Sequence, residues 1–350
     1  MVTLEEIGGW TAVLGPLTSR RDLTSVQAGA ALAEILQGTA SPAEMAAFMI
    51  ALRMKGETVE EMSGMLATLL AFAVPVPLPP GLDVVDTCGT GGDRSHTINV
   101  STIAALIVAG AGAPVCKHGN RAASSACGSA DVLEALGVAI DVGPEAVARC
   151  VEQAGMGFCF APRFHSALRH AGPTRRELGV PTVFNFLGPM ANPARARRQV
   201  LGVSDPAMAE KVVGVLAANG TVHALVVYGH DGLDELTLTT TSTVMELRDG
   251  EVRTYVVDPV ALGLEPVDRA ALRGEDAATN ADFTRRVLDG ERGPHREFAL
   301  LNAAAGIVAA GRAADLVEGL AAATAAVDDG RAAEVLVRLA AVSQEEAARA

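Results

Sequence analysis

Aromatic side chains are scarce, at 3% of the 350 residues, although 49% of the chain is hydrophobic. The apolar content is mostly Ala, Val and Leu, which excludes a core built on large rings and suits packed helices around a Val-rich sheet. Excess positive charge is absent too, since the formal net charge is −13. A phosphate-backbone binder needs a basic face that releases counterions, so a nucleic-acid partner is not expected, and an anionic ligand must be met by local design. Lysine is almost missing: of 28 basic residues only Lys55, Lys117 and Lys211 are not arginine. The five cysteines (Cys88, Cys116, Cys127, Cys150 and Cys159) form no C-x-x-C pair, which argues against a disulfide framework or a zinc site and fits a reducing compartment. The opening MVTLEEIGGW carries acids where a secretory signal needs a basic region and a long apolar core. The most apolar stretch, residues 100–115, is too short to cross a bilayer. These absences predict a cytoplasmic globular protein with no membrane partner.

What is present divides the chain in two. At 350 residues it exceeds the usual single domain, and a prior of about 150 residues per domain favours a pair. From Thr24 to Phe72 apolar residues recur at helical spacing, with breaks at Ser41-Pro42 and Gly56-Glu57-Thr58 that can start new helices. Pro75, Pro77, Pro79, Pro80 and Gly81 then predict an extended connection, because proline fixes φ and pushes its predecessor out of the helical region. A domain boundary belongs there, between a helical domain over 1–76 and an α/β domain over 82–345. In the second domain β-branched runs predict strands over 82–87, 112–116, 200–203, 222–228 and 252–257, alternating with helices such as 102–111 and 130–136. The Ala-rich end from Phe298 to Ala348 keeps helical spacing, and no internal repeat is found.

Five segments carry chemistry. The first, Asp86-Thr-Cys-Gly-Thr-Gly-Gly-Asp93, lies between an apolar strand and a helix start. Gly89, Gly91 and Gly92 would let backbone N–H groups approach phosphate oxygens without a Cβ clash, and the helix N-terminus adds partial positive charge. A plain tight turn reads equally well, but a Walker loop and a dinucleotide fingerprint are both excluded by spacing. In Asn99-Val-Ser101-Thr102 the hydroxyls either cap the helix or reach a metal or phosphate. The second loop, Lys117-His118-Gly119-Asn120-Arg121, leads through Ser124 and Ser125 to Gly128-Ser129-Ala130-Asp131. It gathers cations, an imidazole and an amide at a strand's carboxyl end, where open α/β sheets place ligands. In so lysine-poor a chain, Lys117 reads as a compact charge for pyrophosphate, against the plain alternative of a solvated loop charge.

Further on, Phe160-Ala-Pro-Arg-Phe-His165 precedes Arg175-Arg176-Glu177-Leu178-Gly179 and Asn185-Phe-Leu-Gly-Pro189-Met-Ala-Asn-Pro193. An arginine at an apolar rim suits a carboxylate, which it can grip through two parallel hydrogen bonds. The last segment, Tyr228-Gly-His-Asp-Gly-Leu-Asp234-Glu235-Leu-Thr, sets two adjacent carboxylates in a turn after an apolar strand. Such a pair suits Mg²⁺, which takes one or two carboxylates plus phosphate oxygens and water; a solvated turn is the alternative.

Taken in order, GTGGD, NVST, KHGNRAASSACGSAD, FAPRFH, RRELG, LGPMANP and HDGLDE resemble the motifs of the anthranilate phosphoribosyltransferases of tryptophan biosynthesis, over Asp86 to Thr237. An ordered set of this kind is far more specific than any one glycine loop. The resemblance implies a small, mainly N-terminal helical domain, completed by a helical insertion near 170–195, and a larger α/β domain with a central mixed, mostly parallel sheet surrounded by helices. It implies a homodimer through the helical domain. It also implies two substrates, phosphoribosyl pyrophosphate and anthranilate, and Mg²⁺, with two ions per active site. By motif position the donor meets Gly89, Gly91, Gly92, Asp93, Thr97, Asn99, Ser101, Thr102, Lys117 and Ser129, and the metal meets Ser101, Asp234 and Glu235. Anthranilate meets Gly89, His118, Asn120, His165, Arg175 and Pro189, and the catalytic set is Lys117, Arg175, Asp234 and Glu235. The departures are the bulkier 94–96 segment and Cys88 and Cys127 in variable motif slots.

Two other readings compete. A pyrimidine nucleoside phosphorylase has similar architecture but would carry a Lys-His-Ser-Thr-Gly-Gly type first loop, where this chain has Asp86-Thr-Cys before its glycines. A catalytically silent nucleic-acid-binding relative should have lost its acidic ligands or gained a basic surface, yet Asp234-Glu235 and the charge of −13 remain.

Overall fold

The computed structural model describes residues 2–93, 95–122 and 126–349. Its N-terminal part is helical for reasons visible locally. Thr24 with Gln27, Ser41 with Glu44 and Thr58 with Glu61 each form a reciprocal capping box, opening the helices Ser25–Gln37, Pro42–Lys55 and Val59–Phe72. The first and third of these pack closely because Gly64 carries no Cβ; one there would overlap the backbone of Ser25. Glu61, fully buried, accepts from Leu23 N at 2.8 Å, Thr58 N at 2.8 Å and Lys55 Nζ at 3.0 Å, so the buried charge is paired and hydrogen-bonded.

The remainder is built on one seven-stranded sheet: β1 (Val85–Gly89), β2 (Val115–Gly119), β3 (Met156–Phe160), β4 (Arg198–Gly202), β5 (His223–Gly229), β6 (Ser242–Arg248) and β7 (Glu251–Val257), in the order β3-β2-β1-β4-β5-β6-β7. The first five in that order are parallel, and β6 and β7 add antiparallel at one edge. Alternate residues serve opposite faces, as a period of two requires. Val200, Leu225 and Val227 join the core under the helices Val100–Gly110, Pro294–Ala309, Leu316–Asp328 and Arg331–Arg349. Leu201, Ala224 and Val226 join a second core shared with the helix Pro206–Ala218, the N-terminal helices, and Ala171, Val183, Phe184 and Leu187. Burial on both faces explains why these strands read as continuous apolar runs. The expected fold class, a small helical part with a mixed, mostly parallel sheet surrounded by helices, is the one observed.

Three local expectations need correction. The second strand does not end at Cys116 but continues to Gly119, which puts Lys117 and His118 inside the sheet. Strands β3 and β6 were not foreseen. β3 carries Gly157, needed because a Cβ there would press on the Val147 carbonyl at 2.8 Å, and β6 carries the buried Glu246; each breaks the apolar, β-branched signature. Among the described residues no helix is long and apolar enough to cross a membrane.

Candidate active site

The connection after β1 leads to one side of the sheet and the connection after β4 to the other, so the carboxyl ends of these neighbouring strands bound a switch-point crevice. A cleft of about 370 Å³ opens there. The first loop contributes Gly89, Gly91, Gly92 and Asp93 to its lining, and the segment that follows contributes Thr97, Asn99 and Ser101. The second strand and its loop contribute Lys117, His118, Asn120 and Ser129, and the turn after β5 contributes Asp234 and Glu235. Segments more than a hundred residues apart in sequence therefore meet at one place.

The turn bearing the acids is held by the glycines beneath it. Gly91, with φ of +65°, donates its N–H to Asp234 Oδ2 at 2.7 Å. A Cβ on Gly202 would overlap the backbone carbonyl oxygen of Asp234, and one on Gly89 would strike its side chain, with Cγ at 3.0 Å. Thr90 and Ser204 tie the first loop to the end of β4, Ser204 N–H donating to Thr90 Oγ1 at 3.1 Å and Ser204 Oγ–H to the Gly91 carbonyl at 2.8 Å.

Lys117 is no solvated loop charge. It is 1% exposed, and its ammonium donates to the Thr87 carbonyl and to Ser101 Oγ at 3.3 Å. Neither Asn99 nor Ser101 uses its side chain to cap the helix Val100–Gly110. Charge of the opposite sign surrounds Lys117. Buried Asp86 accepts from His118 N at 3.1 Å and from Asn192 Nδ2 at 2.8 Å, and Asn192 also donates to the Cys116 carbonyl at 2.7 Å. Asp86 and Asn192 thus tie β1 to β2. Both lie in motifs noted from sequence without being assigned a part in the site; an acid inside an apolar strand was the available signal.

Burial, and then the charge of Asp93, push the Asp234 carboxyl up to about 7. Burial, and then Asp234, push Glu235 well above the carboxylate range, against the opposing pull of Lys117. Carboxylates crowded without enough positive charge are a donor set that a divalent cation would relieve. Among the described residues no group of three or more His, Cys, Asp or Glu converges to hold a metal unaided. The acidic pair with the Ser101 hydroxyl nevertheless fits Mg²⁺, a hard ion that draws its remaining ligands from phosphates and water.

On the other flank His118 and His165 stack obliquely, ring centroids 5.0 Å apart. Burial first, with the neighbouring His165 and Lys117, holds the His118 imidazole down at about 3, and burial holds His165 at about 4, so both are neutral near pH 7. His165 Nε2 bonds the Ala191 carbonyl at 2.8 Å; its Nδ1 and His118 Nε2 are buried without a hydrogen-bond partner in the described residues. Arg175 is half-buried, lies 5.5 Å over the Phe184 ring and makes no ion pair among the described residues, whereas Arg176 is exposed. Desolvation lowers the Arg175 pKa from its usual value. The residue after Phe184, Asn185, does line the cleft and was not among the expected site residues.

Four expected residues are not brought to the cleft wall. Thr102 is fully buried in the helix below, with its hydroxyl unpartnered in the described residues. His165 packs against His118, Arg175 lies over the Phe184 ring, and the Pro189 carbonyl accepts from Gln199 Nε2 at 2.7 Å. Arg94, Ser124 and Ser125 lie outside the described residues.

Comparison with known proteins agrees with this geometry. Residues 81–333 match the family described as "Glycosyl transferase family, a/b domain" and residues 11–73 its "helical bundle domain". The chain is 54% identical to the anthranilate phosphoribosyltransferase of Chloroflexus aggregans over 336 residues, covering 95% of this chain and 98% of that one. It is 56% identical to that of Acidothermus cellulolyticus over 333 residues, covering 93% of each. Among solved structures, the anthranilate phosphoribosyltransferase of Thermus thermophilus superposes with a TM-score of 0.90 at 39% identity, covering 95% of this chain and 99% of that one. The Saccharomyces cerevisiae enzyme in complex with PRPP and Mg gives 0.88 at 27% identity, covering 96% and 98%.

Proposed function

This chain belongs to the anthranilate phosphoribosyltransferase family of glycosyl transferases, and from that premise we propose that it uses Mg²⁺ to transfer the 5-phosphoribosyl group of phosphoribosyl pyrophosphate to the amine of anthranilate. The products are N-(5-phosphoribosyl)anthranilate and pyrophosphate, a step of tryptophan biosynthesis. The observation that carries the reading is the meeting of the two glycine-containing turns, the buried Lys117 ammonium and the acidic turn in one cleft. The Saccharomyces cerevisiae relative, bound to PRPP and Mg, supports the donor and the ion.

In this reading the amine attacks C1 of the ribose as pyrophosphate departs, through a transition state with positive charge on the sugar. The costly element is negative charge developing on the leaving group. The Lys117 ammonium and the N–H groups of Gly92 and Asp93 would meet it, those of Thr90 and Gly91 being given already to the Gly202 carbonyl and to Asp234; donors fixed in advance in this way need no reorganisation during the reaction. Ser101, Asp234 and Glu235 would hold Mg²⁺, two ions per site, whose chemistry when bound is to neutralise that same charge. Arg175, which makes no ion pair among the described residues, would orient the anthranilate carboxylate; His118, Asn120 and Gly89 would border the ring, with His165 and Pro189 supporting that flank. An arylamine is already neutral at pH 7, so a strong base is not required; neutral His118 serves as a packing and hydrogen-bonding wall.

The domain division at 76 and 82, with residues 170–195 completing the helical part, the cytoplasmic location and a homodimer through the helical domain belong to the same proposal. Mixing the protein with phosphoribosyl pyrophosphate, Mg²⁺ and anthranilate should extinguish anthranilate fluorescence, and Glu235→Gln should weaken the metal requirement's saturation. Phosphate-dependent cleavage of thymidine or uridine in place of transfer would overturn the assignment.

A further inference from the structure

The helix Ala277–Leu288 is absent from the cleft wall, yet its Asn280 reaches the wall's support. Asn280 is 2% exposed. Its Oδ1 accepts from the Glu275 backbone N–H at 2.8 Å, and its Nδ2 donates to Asn99 Oδ1 at 3.0 Å. Asn99 Nδ2 in turn donates to the Cys127 carbonyl at 3.0 Å. A side-chain amide can ordinarily be turned end for end, its oxygen and nitrogen exchanging places. Here neither can turn. One end of the chain is a backbone N–H, which only donates, and the other a carbonyl, which only accepts, so both amides run in a single direction. The contact is tight as well: a Cβ on Gly274 would meet Asn280 Oδ1 and the Thr97 carbonyl, each at 2.8 Å.

Asn99, in the segment that follows the first loop, and Cys127, in the second loop, both line the cleft and meet directly through that hydrogen bond. We propose that Asn280 is a positioning residue for the transfer reaction: it locks the Asn99 amide and, through it, fixes the segment that follows the first loop against the second loop. The role in catalysis rests on the functional reading above; the locking itself does not. Asn280→Asp keeps the acceptor for Glu275 N–H but replaces the donor facing Asn99 Oδ1, and more distantly the Glu275 carbonyl at 3.3 Å, with an oxygen. Acceptor then faces acceptor, and a flipped Asn99 would oppose its own oxygen to the Cys127 carbonyl. Asn280→Ser, too short to reach Asn99, removes the donor without the repulsion and serves if the aspartate variant does not fold.

The KM for phosphoribosyl pyrophosphate should rise roughly tenfold to a hundredfold, the scale of one buried hydrogen bond lost with its partner left unpaired, while the KM for anthranilate stays within about twofold. In an Asn99→Ala background the same substitution should add nothing, because its effect passes through Asn99. Backbone hydrogen exchange over residues 96–99 and 127–129, read without substrate, should accelerate in both segments together. A folded variant with the wild-type donor KM, or additive effects with Asn99→Ala, would overturn the catalytic role. Unchanged protection in the two segments would overturn the locking. A wild-type protein that does not use the donor defeats the functional reading, and the exchange measurement still decides the locking.

Discussion

Gly202→Ala gives the sharpest test of how the acidic turn is held. The added Cβ would overlap the Asp234 carbonyl oxygen, which is backbone and cannot swing aside as a side-chain tip does. Restoring an ordinary contact requires the turn to retreat by about 1–2 Å, carrying Asp234 and Glu235 with it, or the end of β4 to bend by as much. Forced overpacking of this kind typically costs about 1–3 kcal/mol of stability. A misplacement of about 1 Å in a catalytic array can cost about 10²-fold in rate. The variant should therefore fold, melt several degrees lower and lose about 10²-fold in kcat/KM for phosphoribosyl pyrophosphate by the anthranilate-fluorescence assay, with a raised Mg²⁺ requirement. Gly319→Ala is a milder control, since its Cβ would also press on backbone, the Ala304 carbonyl at 2.7 Å, but away from the cleft. It should lose stability and keep its rate once folded. If Gly202→Ala kept donor kinetics and metal dependence within about twofold, the reasoning that the turn's position rests on the bare β4 terminus would be refuted.

Further perturbations separate the parts of the site. Lys117→Met removes the buried cation and should lower kcat/KM for the donor by about 10²–10³-fold, the scale of one preorganised charge-stabilising donor; near-wild-type turnover would show that the ammonium is structural. Arg175→Ala should raise the anthranilate KM by roughly tenfold to a hundredfold and leave the donor KM unchanged, while exposed Arg176→Ala changes neither; equal effects from both would contradict the carboxylate role. Between pH 7.5 and pH 5 the two buried histidines should pull stability down while the raised Asp234 and Glu235 carboxyls, which take up protons in the folded state, pull it up: with folded values of about 3 and about 4 against 6.5 unfolded, His118 and His165 take up protons only on unfolding in that window. At these two rings the unfolded state binds more protons, so each histidine contributes a loss of about 2 kcal/mol at pH 5. The histidine share is the difference in urea midpoints between the wild-type protein and the double variant His118→Asn with His165→Gln: the wild type should lose stability relative to the variant from pH 7.5 to pH 5, and a difference that does not change with pH would refute it.

How much of this was legible in the sequence depended on how local the cause was. The N-terminal helices announce themselves because T-x-x-Q, S-x-x-E and T-x-x-E close their own hydrogen bonds within four residues. The cleft's glycines and acids are legible as types, since the chemistry of phosphate and Mg²⁺ limits which residues can serve. Burial of Lys117 was not legible. Its place inside β2 depends on Asp86 and Glu235, charges brought near it by strand pairing, and no local pattern distinguishes it from a loop lysine. The need for glycine at 202 was hidden in the same way, its reason being a carbonyl on another segment. Asn280 was invisible because one asparagine on an otherwise ordinary helix carries no spacing signal. The strand Met156–Phe160 was missed because packing against a neighbouring helix, and not β propensity, makes it a strand.

The strand order has a consequence for how the molecule comes into being. β1 pairs early with β2 on one edge, but its other edge stays open until β4 emerges more than a hundred residues later, to be followed by β5. A nascent chain that has reached residue 190 thus holds a half-sheet with an unpaired edge and apolar faces awaiting the later helices, the kind of intermediate that associates wrongly. Closure of the middle of the sheet is a long-range event and correspondingly slow. The catalytic cleft is finished later still, after β5 and the helix bearing Asn280 have docked, so chains cut short within that region should be captured by chaperones or proteases before they can bind substrate.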